Sequence, residues 1–135
     1  MYKIPIPSDE DCQYPNLELI TKDAQNKYNK KNQKLVNELL DYLDNQLYRP
    51  KSFLYQEMVS AAKRGKTCLY TDLQSCSNCC HAYTLLWDIA RNKDAIEILN
   101  NKLKQKYPGK PQSTYQIYLE LVDQEDLEYK IVIIW

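Results

Sequence analysis

Tyr115-Gln116-Ile117-Tyr118-Leu119-Glu120-Leu121-Val122-Asp123-Gln124-Glu125-Asp126-Leu127-Glu128-Tyr129-Lys130-Ile131-Val132-Ile133-Ile134-Trp135 carries the pattern that decides the fold. Tyr115, Ile117, Leu119 and Leu121 point to one side of an extended chain, and Gln116, Tyr118 and Glu120 to the other. Leu127, Tyr129, Ile131, Ile133 and Trp135 repeat the alternation after the polar run Asp123-Gln124-Glu125-Asp126. Two such runs around a turn-forming tetrad predict a β-hairpin with a four-residue loop. Val132 and Ile134 are apolar on the opposite face, so the last strand should be covered on both sides near its end, by a helix or by a partner chain.

Upstream of the hairpin the period changes from two to 3.6. Residues 20–48 contain no Pro or Gly and predict one long helix, with Val36, Leu40, Leu43 and Leu47 on one face and Leu35 and Leu39 beside them. Ser52 is the expected N-cap of a second helix, Phe53 to Arg64, with Leu54, Met58, Ala61 and Ala62 inward and Gly65 as its stop. Thr67–Leu73 alternates as a short strand, with Thr67, Leu69, Thr71 and Leu73 on one face. A third helix is expected over about Cys79–Arg91, with Ala82, Leu85, Leu86 and Ile89 buried. Asp94 with Glu97 reads as a capping box for a fourth helix to about Lys106, closed by Tyr107-Pro108-Gly109. The expected fold is α+β: a long N-terminal helix and three shorter helices on a small, mostly antiparallel three-stranded sheet that ends in the hairpin. Residues 1–18, with three prolines and Asp9-Glu10-Asp11, are expected as an extended acidic arm, and 19–135 as one domain.

The 135-residue chain is 44% hydrophobic and 27% charged, a globular composition able to bury a core. Its two glycines exclude a glycine-rich phosphate loop. Twelve tyrosines against one phenylalanine suit half-buried faces and interfaces. Net charge is zero but uneven: −3 over residues 1–18, +7 over 19–112 and −4 over 113–135. The basic middle could meet an anionic partner, the acidic ends, or a second copy. On the long helix Lys27, Lys30, Lys31 and Lys34 share one face, whereas Glu38, Asp41 and Asp44 follow in the second half. That order opposes the helix dipole. It fits a solvated face, an antiparallel helix pair in a homodimer with each basic half against an acidic half, or phosphate contacts of a nucleic-acid binder. The sequence has no leader-like or membrane-spanning apolar run, so an intracellular, non-secreted location is expected, cytoplasmic or nuclear. There, five cysteines are free thiols or metal ligands rather than disulfides.

Chemistry, if present, belongs to Cys76-Ser77-Asn78-Cys79-Cys80-His81, with Cys68 eight residues upstream. Cys76 and Cys79 have the C-x-x-C spacing of a zinc knuckle, with His81 (or Cys80) and Cys68 as further candidate ligands, but no second knuckle accompanies them. A strand, C-x-x-C and a helix is also the local order of thioredoxin-like redox proteins. The helical first half of the chain and Ser75 before the motif depart from that family. Covalent haem attachment fails by one residue, because His81 follows Cys80 and the residue three before Cys80 is Ser77. A Cys–His nucleophile lacks an orienting partner, since Asp88 is two turns from His81. The simplest reading is small thiols packing a helix entry and the back of a strand.

Neither H-E-x-x-H, a Walker loop nor G-x-S-x-G occurs. The helix end Ala61-Ala62-Lys63-Arg64-Gly65, a strand, a helix closing at Tyr107-Pro108-Gly109 and a hairpin ending Ile134-Trp135 resemble small uncharacterised α+β proteins of large double-stranded DNA viruses and phages, over about residues 52–135. The resemblance implies a viral accessory protein, often oligomeric and without known chemistry, and carries over no functional residue. The expectation is therefore a non-enzymatic interaction protein without cofactor or membrane contact, working as a homodimer through the long helix and the tyrosine-rich sheet. The alternatives are a zinc or thiol-redox protein using Cys68, Cys76, Cys79 and His81, and a nucleic-acid binder using Lys27, Lys30, Lys31 and Lys34.

Overall fold

The computed structural model describes residues 16–74 and 80–135, so the expected arm at 1–15 and the pair Cys76 and Cys79 lie outside the described residues. The order is α1 (Leu17–Leu47), α2 (Phe53–Lys63), β1 (Cys68–Thr71), α3 (Cys80–Ala90), α4 (Lys93–Lys106), β2 (Gln116–Asp123) and β3 (Glu128–Ile134). This is an α+β fold with a long first helix, as the periodicities predict. Leu17 and Glu18, expected in the arm, already belong to α1. The chain divides into two compact units, residues 1–31 and 32–135.

In the second unit β3 is the middle strand, antiparallel to both neighbours, in the order β1-β3-β2. Its register places Leu69, Ile133 and Ile117 in one row, and Thr71, Ile131 and Leu119 in the next. Ile117, Ile131 and Ile133 are buried on the core face, where alternation put them. Val132 is also buried, at 1% exposure, on the opposite face. Its cross-strand neighbours there are Tyr70 and Tyr118, close enough for their rings to shelter it. Val132 is thus covered, as its apolar character on the second face implies, with two tyrosines of the same sheet beside it.

The hairpin loop has the expected four residues but sits one position later. Asp123 still pairs with Glu128, and Leu121 with Tyr129, so Val122 is bulged out. The Asp123 carboxylate accepts the amides of Glu125 and Asp126 at 3.0 and 3.2 Å, and Leu127 takes a left-handed φ of 52°. Leu127, expected to open the strand, is therefore a turn residue. The side chain–backbone bonds of Asp123 overrode the apolar pattern.

The helices pack on the core face. From residue 32 onward α1 buries Val36, Leu39, Leu40, Leu43 and Leu47, each contributing about 1.5–3 kcal/mol of hydrophobic stabilisation. Ser52 caps α2 by accepting the Tyr55 amide, and its hydroxyl donates to the Gln46 carbonyl at 2.6 Å. The helix ends in a Schellman motif: the Lys66 and Gly65 amides donate to the Ala61 and Ala62 carbonyls, with Gly65 at φ 82°. Leu54, Met58 and Ala61 are buried, but Ala62 is exposed rather than inward.

For α4 the cap is Asn92, not Asp94. Asn92 is extended, and its Oδ1 accepts the amides of Asp94 and Ala95 at 3.1 and 3.2 Å. Asp94 instead sits in the first turn, where its charge complements the helix N-terminus. Asn92 Nδ2 donates to Oδ1 of the buried Asn32. Tyr107, the C-cap of α4, is buried and its hydroxyl donates to Asp44 Oδ1 at 3.0 Å. Burial first, then this bond to Asp44, drives the phenol well above its ordinary range.

Candidate functional site

Of the thiol cluster, Cys68 and His81 can be placed with their side chains. Cys68 opens β1 opposite Ile134, half-buried and with a free thiol. His81 is exposed in the first turn of α3, its Nε2 3.6 Å from Glu38 Oε2. Cys80 begins α3. Among the described residues no group of three or more His, Cys, Asp or Glu side chains is placed to hold a metal ion. No described helix is long and apolar enough to cross a membrane.

The four lysines of the candidate basic face are all exposed, Lys27, Lys30 and Lys31 in the first unit and Lys34 in the second. The first unit adds a feature that the lysine pattern obscured. Every residue from 16 to 31 is exposed. Leu17, Ile20, Ala24 and Tyr28 nonetheless follow i, i+3, i+7 and i+11 and share one helix face. Leu17 is 75% exposed, Ile20 50% and Tyr28 47%. The segment is locally well made: Asn16 Oδ1 accepts the Leu19 amide at 3.2 Å, and Glu18 pairs with Lys22 at 3.6 Å. Glu18 and Asp23 stand in its first half and Lys27, Lys30 and Lys31 at its end, with Lys22 between the acids. Only Glu18, in the first turn, complements the helix dipole.

In the second unit the outer sheet face presents Tyr70, about half-exposed, beside Val132 and Tyr118. The Glu120 carboxylate, and then the Tyr118 phenol, hold the Tyr70 hydroxyl above its ordinary range. Sequence reasoning missed the link between α3 and the hairpin turn. Arg91 donates from Nη1 to the Leu127 carbonyl at 3.1 Å and from Nη2 to the Asp126 carbonyl at 2.7 Å, with its guanidinium 3.6 Å over the Trp87 ring. The spacing of Tyr83, Trp87 and Arg91, four residues apart on one helix face, was the signal available. No protein-family model matches the chain, and neither a curated protein nor a solved structure is significantly similar to it.

Proposed function

We propose that this chain is a non-enzymatic interaction protein that assembles as a homodimer through the first half of its long helix. The observation that carries the reading is the apolar stripe Leu17, Ile20, Ala24 and Tyr28 on a helical segment with no buried residue. This half extends a helix that is packed from residue 32 onward, and most helical stability in proteins comes from packing an apolar face, which here is exposed. The stripe calls for a partner, and a second copy offers one in which the stripe meets itself and Glu18 meets Lys30. In an antiparallel pair that crosses at Ala24, Ile20 faces Tyr28 and Glu18 faces Lys30 of the other copy. The same contacts form twice about a two-fold axis, as a closed dimer requires. Ala24 at the crossing lets the two backbones approach, and Ile20 and Tyr28 close over it.

Sedimentation equilibrium of the whole chain tests this. The wild type should be dimeric at micromolar concentration. Ala24→Glu, which sets two carboxylates against each other at the crossing, should be monomeric with the far-ultraviolet circular dichroism of residues 32–135 kept. A monomeric wild type, or an Ala24→Glu variant still fully dimeric, would overturn the proposal.

A further inference from the structure

A separate feature lies at the end of the sheet. A cavity of about 250 Å³ opens between the segment after β1, the outer side of α3 and the hairpin turn, lined by Asp72, Tyr83, Trp87, Asp126, Glu128 and Tyr129 over a floor of leucine and alanine. It is smaller than the ~300–1,000 Å³ of drug-sized sites, so it suits a head group rather than a whole metabolite. Three of its side chains are aromatic and three are carboxylates, and none of its described lining residues is basic. The Tyr83 and Trp87 ring centroids stand 6.3 Å apart, tilted by 36°.

The walls are fixed by contacts already described. Arg91 binds two carbonyls of the hairpin turn and covers one face of Trp87, which ties α3 to the turn. Asp72 Oδ1 accepts the Gln74 amide at 2.9 Å, which orients that carboxylate. The Arg91 contact also shows the indole serving as a platform for a delocalised cation within this protein.

The chemistry of the lining narrows the ligand. Three carboxylates outnumber the neighbouring cation, Arg91, whose guanidinium is engaged by the turn carbonyls and the Trp87 ring, so an anion meets net negative charge. A neutral apolar guest would desolvate those carboxylates without compensation. A hard metal ion needs converging oxygen or nitrogen ligands, and the described residues hold no such set. A soft organic cation satisfies both halves of the wall: its methyl or methylene groups rest on the rings, and its charge meets the carboxylates. We propose that this cavity binds an alkylammonium group, in particular a methylated one. The group could come from a free amine or from a methylated lysine of a partner polypeptide, and the cavity recognises the chemistry the two share. The proposal does not depend on dimerisation through α1.

Nuclear magnetic resonance titration of the full chain tests it, with three probes: choline, its neutral tert-butyl isostere, and acetyl-trimethyllysine amide. Either cation should saturate, with shifts centred on Tyr83, Trp87 and Tyr129, and the neutral isostere should not. The exposed double variant Asp126→Asn with Glu128→Gln should weaken binding at least about tenfold, and so should Trp87→Leu. Tighter binding of choline assigns the ligand to free amines, and tighter binding of the trimethyllysine amide assigns it to a polypeptide; both support the site. Failure of both cations to saturate overturns it. So does equal binding of the neutral isostere, or undiminished affinity in the double variant with its fold confirmed by circular dichroism.

Discussion

Asn92 Nδ2 donates to Asn32 Oδ1 at 2.6 Å, joining residues 60 apart in the sequence at the point where α4 begins beside α1. One side chain thus does two jobs, since Asn92 Oδ1 caps α4 at the same time. Asn32 is 1% exposed, and its own Nδ2 has no partner.

Replacing Asn92 by Ala should therefore cost more than a lost cap. The cap is worth about 1 kcal/mol. Leaving the buried Asn32 acceptor bare adds about 1–2 kcal/mol. Asn92→Asp keeps the cap, and a half-turn of the Asn32 amide would offer its unpartnered Nδ2 to the new carboxylate. Urea denaturation should show Asn92→Ala destabilised by about 2–3 kcal/mol and Asn92→Asp by less than half of that.

Tyr107 and Asp44 give a prediction with a definite pH sign. The folded state holds the phenol protonated above its ordinary value, first through burial and then through the bond to Asp44. Above pH ~10 the native state therefore binds more protons than the unfolded chain, and stability falls as pH rises. Tyr107→Phe should lose about 1.5 kcal/mol at neutral pH, where the bond to a carboxylate is intact. The deficit should shrink as the pH passes ~10, because the phenylalanine variant escapes the ionisation penalty. Parallel denaturation curves at neutral and alkaline pH measure the difference.

Glu57 titrates in the opposite part of the scale. It is half-buried, its Oε1 has no partner, and its pKa is raised above 4.5, by burial first and by Asp72 second. The folded state favours the protonated acid, so this group's contribution is present at low pH and is lost as pH rises through the folded pKa. Glu57→Gln should raise the melting temperature at pH 7 and leave it nearly unchanged at pH 4. An equal effect at both values would mean that the carboxylate's charge is not what the fold resists.

Gly65 closes α2 at φ 82°, and a β-carbon built there would meet no atom within 4 Å. The cost of Gly65→Ala is then conformational alone, about 1 kcal/mol. Gly65→Asn should recover part of it, because asparagine visits this region more readily. Thermal unfolding of both variants orders them.

Much of this fold was legible because its signals are local. Ile117 and Leu119 alternate with Gln116, Tyr118 and Glu120, Ser52 stands before an apolar stripe, and Gly65 follows one. Each pattern needs only a few adjacent residues, and each element appears within a few positions of where it was expected. The misses have physical causes. Asp94 and Glu97 imitate a capping box, but Asn92 can cap and bind Asn32 together, so the helix starts two residues earlier than that box implies. That Tyr70 and Tyr118 stand beside the buried Val132 was not legible, because the register joins strands distant in the sequence. Of the candidate sites, the lysine face was visible from spacing alone. The acidic aromatic cavity was not, since Asp72, Trp87 and Glu128 come from three distant segments.

The place of β3 between β1 and β2 bears on how the chain matures. The two outer strands come before β3 in synthesis and do not pair with each other; among the described strands each pairs with β3 alone. A nascent chain that has not yet extruded residues 128–134 holds two strands with bare edges and only Ile117 of the three core-face isoleucines. Sheet formation is thereby deferred until that segment clears the ribosome, and stalled or clipped chains that lack it would be ready substrates for chaperones and proteases.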